Sequence, residues 1–379
     1  MNSSQPVTGE LTTAAVFLTL TIDDGGEATV RDVLADLSGL ARSVSYRVPG
    51  PDLMAVTGIG ATAWDRLFGG GAPRPAHLHP FAELRGPRHH APSTPGDLLL
   101  HLRATEFGPC WELARLIMAR LEGAARVVDE VHGFGYFDRR DLLGFVDGTE
   151  NPTGDDARAA ALDEDGGSYV IVQKYLHDMA AWNRLTTEQQ ERVIGRTKLD
   201  DVELSDADQA PDAHVALNQV TGPDGAQRQI VRMNMPFGSL ANGESGTYFI
   251  GYAADPAVTE QMLRNMFLGA PPGNTDRILE FSTAVTGGLF YVPPISFLDE
   301  ADSYAPAAIG VSGLATGATG SVSTAVPSTA TAVAATAPVP TTTALTPTAE
   351  LSPIAEPAPA ASRAADGSLG IGGLKRSTV

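Results

Sequence analysis

The feature that most constrains this chain is a break in composition after residue 304. From Ala305 to Ala349 it contains only Ala, Thr, Ser, Pro, Gly, Val, Leu and Ile, with no charged and no aromatic residue. Such a stretch buries too little side-chain surface to offset the entropy of ordering it, so a disordered linker is expected over 305–365. A folded core must come from the residues before the break, which suffice for two ordinary domains or one large one.

Those residues read as two halves, 1–150 and 151–304, with a similar order of elements. The first opens with a strand at Ala15–Ile22, whose alternation suits a half-buried sheet position. A helix over Val30–Ser43 carries Val30, Val33, Leu34, Leu37 and Leu40 on one face. A strand at Asp97–Ala104, a helix at Pro109–Leu121 and a strand at Arg126–His132 follow. The second half offers strands at Ser168–Tyr175, Gln229–Met235 and Tyr248–Tyr252. Asp255 is a natural N-cap, with Pro256 at the first helical position, for an amphipathic run over Val258–Leu268. An α+β class is the economical architecture, each half an antiparallel sheet with helices on one face.

Of 379 residues, 26 are basic and 45 acidic, a formal charge of −19. Phosphate backbones and anionic membranes are repelled on average, so neither nucleic acid nor a membrane is an expected partner. No run of 18 apolar residues exists to span a bilayer, and Met1–Leu11 has no basic segment followed by an apolar one. A cytoplasmic protein is expected. The single cysteine, Cys110, can build no disulfide framework, zinc site or covalent haem attachment. It falls on a helical face with Leu113, Ile117 and Leu121, and reads as a buried, inert thiol.

The most informative stretch is Gly144-Phe145-Val146-Asp147-Gly148-Thr149-Glu150-Asn151-Pro152. Asp-Gly and Asn-Pro are turn signals, and an arbitrary Asp-Gly would only bend the backbone. Here the carboxylate follows an apolar pair, so partial burial is expected, and burial favours proton transfer near neutral pH. Gly144 and Gly148 bracket it and would let another body, such as a flat cofactor, approach the backbone. An iron site would need an axial ligand, and there are eight histidines. His77, His79, His89 and His90 lie in a Pro/Gly-rich loop, His101 and His132 in or at the end of strands, and His177 beside Asp178. His214 lies in the mildly apolar stretch 212–218. On the residues alone it is one candidate among several.

The nine residues 144–152 resemble the signature of dye-decolourising peroxidases of the compact bacterial type, a Gly-x-x-Asp-Gly loop over the distal face of haem. The likeness extends over about residues 10–300. His214, with Val215 and Asn218, resembles the family's proximal histidine segment. Arg232, 18 residues on, resembles the distal arginine and Asn234 the distal asparagine, two residues along one strand and so on one face. Asp276 fits the carboxylate that accepts a hydrogen bond from the proximal histidine. The resemblance implies two ferredoxin-like halves and one noncovalent haem b per chain, held by His214 with Asp276 behind it and Gly148 and Thr149 beside it. Asp147, Arg232 and Asn234 become the catalytic group. The implied activity is reduction of hydrogen peroxide with oxidation of bulky organic dyes or phenolic compounds by an oligomeric enzyme. A haem-binding protein for storage or iron release would share the fold and His214 but would need neither Asp147 nor Arg232. For the three tryptophans, Trp64, Trp111 and Trp182, core packing outweighs a part in electron transfer.

Beyond the linker, Leu369, Ile371 and Leu374 are spaced by glycines and followed by Lys375-Arg376. Glycines disfavour a helix, so the segment should dock extended, with its apolar side chains as anchors. Residues 366–379 resemble the cargo-loading peptide of encapsulin-associated peroxidases. That implies an encapsulin shell protein as partner through residues 366–376, and a location inside a nanocompartment. A flexible linker of roughly 60 residues would give a tether of about 45 Å.

Overall fold

The computed structural model describes residues 3–47 and 53–306. The peptide at 366–379, and the expected linker apart from residues 305 and 306, lie outside the described residues. The first half runs β1 (Ala14–Ile22), α1 (Glu27–Ser45), β2 (Met54–Gly60), α2 (Ala61–Phe68), β3 (Leu98–Ala104), α3 (Phe107–Arg120) and β4 (Ala125–Phe134). The periodic apolar positions of α1 are its buried ones, with Val30, Val33, Leu34 and Leu37 turned to the core. Cys110 on α3 is fully buried.

The second half contains β5 (Ser168–His177), α4 (Thr187–Ile194), α5 (His214–Asn218), β6 (Val231–Arg232), β7 (Met235–Ser239), β8 (Glu244–Ala253), α6 (Pro256–Leu268), β9 (Ser282–Ala284) and β10 (Gly288–Val292). The Asp255 side chain accepts from the Ala257 N–H, with Pro256 opening α6. This is the start that the sequence predicts.

These ten strands form one antiparallel sheet in the order β6-β8-β5-β10-β2-β3-β1-β4, with β7 also on β8 and β9 on β5. Strands of the second half occupy one end and those of the first half the other, each in a ferredoxin-like order. They join where β10 pairs with β2, Phe290 opposite Gly60. The sheet curls, since the Phe17 ring on β1 stacks on Tyr248 of β8 at 4.3 Å although four strands separate them in the order. One core lies between the sheet and its helices. A second fills the curl around Phe17, Val56, Tyr248 and Phe290.

Two expectations change. β1 is not half-buried: eight of its nine residues are buried, because helices cover one face and the inside of the curl covers the other. The strand expected at Gln229–Met235 is two strands, interrupted at Met233-Asn234. The register nonetheless continues, Arg232 facing Gly251 and Met235 facing Tyr248. The Asn234 side chain accepts the Ile250 N–H at 3.0 Å in place of a backbone carbonyl.

Phe290 is 1% exposed and sits at the joint of the halves. A side-chain carbon added at Gly58 would lie 2.9 Å from its Cβ. Phe290→Ala should lower unfolding stability by about 3–5 kcal/mol. Equilibrium denaturation should show this as a lower midpoint with unchanged slope.

Candidate active site

Between β5 and β6 the chain leaves the sheet for residues 178–230, and this excursion carries α4 and α5 over the face of β5 and β8. A cavity of about 350 Å³ lies beneath it, within the size range of small-molecule and cofactor sites. Leu143, Phe145, Ile194, Val215, Ile230 and Phe249 supply apolar wall, and Met262 and Met266 project from α6.

His214 is the first residue of α5 and lines the cavity. Its segment is pinned from three sides. Asn274 Nδ2 donates to the Pro211 carbonyl at 2.8 Å, the Arg277 N–H to Asp212 at 3.1 Å, and Asn265 Nδ2 to Leu217 at 2.9 Å. His214 Nδ1 lies 2.7 Å from Asp276 Oδ2. A carboxylate only accepts, so Nδ1 carries the hydrogen, and in the neutral ring this leaves the lone pair on Nε2. Asp276 is fully buried, and its other oxygen accepts the Ile278 N–H at 3.0 Å. Asn218 Nδ2 donates to the His214 carbonyl at 2.7 Å, closing the turn.

Asp147, Gly148, Thr149, Arg232 and Asn234 line the same cavity. The Asp147 N–H donates to the Arg139 carbonyl at 2.9 Å, and Asp147 Oδ1 accepts a long 3.4 Å hydrogen bond from Asn234 Nδ2. Thr149 Oγ1 donates to Asp201 at 2.6 Å, and Asp201 also takes Arg196 Nε at 2.9 Å. Arg196 and Arg228, the other guanidiniums at the cavity, are paired with carboxylates. Arg232 has no ion-pair partner among the described residues. Gly144 and Gly148 are required by the chain itself, with φ of +95° and +84°. A Cβ at Gly144 would come within 2.5 Å of the Lys198 side chain.

His177 also lines the cavity, but its ring nitrogens are engaged, by Ser282 Oγ at 2.8 Å and Thr247 Oγ1 at 2.9 Å, and burial lowers its pKa to about 4. His101 is buried against Tyr252 Oη at 2.8 Å, and burial pushes its pKa well down. Among the described residues, no cluster of three or more His, Cys, Asp or Glu is placed to hold a metal ion. Trp64 and Trp182 are core residues, and Trp111 is half exposed.

The chain matches the family models "Dyp-type peroxidase, N-terminal" over residues 4–135 and "Dyp-type peroxidase, C-terminal" over 138–297. It belongs to the Dyp-type peroxidase family. It is 62% identical over 302 residues to a dye-decolorizing peroxidase of Mycolicibacterium paratuberculosis, covering 78% of this chain and 85% of that one. A variant of DypB from Rhodococcus jostii in complex with heme is 56% identical, with a TM-score of 0.77, covering 78% of this chain and 98% of that one. The encapsulated DyP-type peroxidase of Mycobacterium smegmatis is 58% identical, with a TM-score of 0.77, covering 79% and 98%. Among the described residues no helix is long and apolar enough to cross a membrane.

Asp141 is a cavity residue that the sequence does not single out. Its Oδ1 accepts the Phe145 N–H at 2.9 Å. Burial is the main reason its pKa is raised to about 7; repulsion from Asp147 adds to this, and the hydrogen bond from Phe145 opposes it. A carboxyl raised in the folded state stabilises fully below its unfolded pKa of about 3.9, and this contribution is lost as pH rises towards the folded value. Asp141→Asn keeps an acceptor for Phe145 and removes the titration. Its melting temperature should therefore gain on that of the unaltered, ligand-free chain as pH rises from about 4 to about 7. A difference that stays constant with pH would rule out a raised carboxyl at this position.

Proposed function

We propose that this chain is a haem-dependent peroxidase that reduces hydrogen peroxide while oxidising bulky organic dyes or phenolic compounds. The observation that carries this reading is a single cavity lined both by an imidazole with Nδ1 committed to a buried carboxylate and by an acid with an unpaired guanidinium. The donor set fits haem: His214 Nε2 would hold the iron, and the walls are apolar enough for a flat macrocycle. When bound, the haem iron supplies the centre where peroxide is activated and the oxidising equivalents are held.

The protein's own part follows from its residues. Asp276 Oδ2 holds the His214 ring in one tautomer and makes it a stronger donor. Asp147 takes the proton from the nearer peroxide oxygen through a carboxylate oxygen and returns it to the leaving one. Asn234 Nδ2 orients that carboxylate at Oδ1. Arg232, which has no ion-pair partner among the described residues, is free to stabilise negative charge developing on the leaving oxygen. Gly148 and Thr149 complete the loop beside the cofactor. Residues 1–150 and 151–304 would be the two halves of the enzyme.

Residues 305–365 would tether the folded part to residues 366–376, through which an encapsulin shell takes the enzyme as cargo. Leu369, Ile371 and Leu374 support this, as does the likeness to a protein described as an encapsulated peroxidase. In a homo-oligomer several such peptides would act together, and avidity would retain the cargo.

His214→Ala should give a preparation without Soret absorbance and without peroxide-driven dye oxidation. Asp147→Ala and Arg232→Leu should each retain haem while the peroxide reaction slows, by about 100-fold or more for whichever dominates. Unchanged rates in both would sink the assignment, and a Soret band with no turnover in the unaltered protein would favour a haem carrier. Removing residues 366–379 should abolish co-purification with a shell and leave peroxidase activity intact; lost activity would contradict the targeting role.

A further inference from the structure

Arg232 occupies the outer end of the sheet, where, among the described residues, β6 pairs with β8 alone. The Met233 N–H donates to the Ile250 carbonyl at 3.1 Å, which makes 233 and 250 the hydrogen-bonded pair. The residues on either side of such a pair turn their N–H and C=O away from the neighbouring strand. For Arg232 both groups thus point off the edge, where unpaired backbone groups would be a liability. One side chain takes both. Asn151 Nδ2 donates to the Arg232 carbonyl at 2.6 Å, and Asn151 Oδ1 accepts the Arg232 N–H at 2.9 Å. The amide stands in for one residue of a missing strand.

Asn151 is itself held in the turn that carries Asp147. Its N–H donates to the Gly148 carbonyl at 3.1 Å, and Gly148 has a φ of +84° that favours glycine. The carboxylate and the clamp are therefore parts of one tight loop, and the guanidinium belongs to the strand the clamp grips. We propose that Asn151 is a positioning residue, its amide fixing where the Arg232 guanidinium stands relative to Asp147. This rests on the roles proposed above for Arg232 and Asp147.

The chemistry of the clamp gives a selective test. Asn151→Ala removes both hydrogen bonds at every pH. Asn151→Asp keeps the acceptor for the Arg232 N–H but sets a carboxylate oxygen against the Arg232 carbonyl. Protonation in mild acid restores a donor there. The readout is fluoride affinity of the haem-loaded ferric protein, followed by its absorbance spectrum, because an anion on the open face is stabilised by a correctly placed guanidinium. Each variant is compared with the unaltered protein at the same pH, with Arg232→Leu as reference.

Asn151→Ala should weaken fluoride binding about tenfold at both pH 7 and pH 5. Asn151→Asp should match it at pH 7 and return towards the unaltered value at pH 5. Unchanged affinity in both, while Arg232→Leu weakens it, overturns the positioning role alone. A deficit in Asn151→Asp equal at both pH values also overturns it, since loop damage does not depend on one proton. No effect of Arg232→Leu would remove the reading of Arg232 and this inference with it.

Discussion

The site depends on a buried carboxylate that has to be satisfied. Asp276 has no exposed surface, and an unpaired charge in such a place is costly enough that the surrounding chain must supply partners. It does so with the His214 ring on one oxygen and the Ile278 N–H on the other. This compensation adds a polar tie to the excursion 178–230, which also packs Trp182, Val193 and Ile194 against Leu143 and Phe145. Contacts from Asn265, Asn274 and Arg277 then hold the segment in register. One imidazole is thereby presented to the cavity in one tautomer.

Much of the scaffold was legible because its signals are local. The 3.6-residue period of α1 and the Asp-Pro start of α6 each state their own boundary. The curl was not legible, because the stacking of Phe17 on Tyr248 and the pairing of β10 with β2 join residues more than two hundred positions apart. The same limit explains β1. Its alternation implied one wet face, and only the closing of the sheet on itself buries the other. At Met233-Asn234 an alternation typical of a continuous strand, with Val231, Met233 and Met235 apolar and Arg232 and Asn234 polar, concealed a side chain that replaces a backbone acceptor, which no periodicity reports.

The site residues divide in the same way. Asp147 and its bracketing glycines stood out as a motif, while His214 was one candidate among eight until its resemblance to a family segment singled it out. The glycines are also needed for a reason that the sequence reading did not give: positive φ at both, and Lys198 packed against Gly144. Asp141 lies six residues before Asp147 and gave no sign, because its environment is made by the closing of the loop and the neighbouring cavity. Asn151 was in plain view within the signature, yet its partner is 81 positions away.

The clamp and the cavity carboxyls bear on each other. Arg232 brings positive charge to a cavity that already holds Asp147 and Asp141, and repulsion from Asp147 helps to keep Asp141 protonated near neutrality. If the guanidinium moved closer to these acids it would be neutralised by them, and if it moved away the acids would be less well balanced. A clamp on the backbone of Arg232, in place of an ion pair on its side chain, avoids both outcomes. It fixes the base of the side chain while leaving the guanidinium without a resident partner. An enzyme that must meet negative charge appearing only during reaction needs a cation that is held in position and still unneutralised, and a backbone clamp provides both conditions.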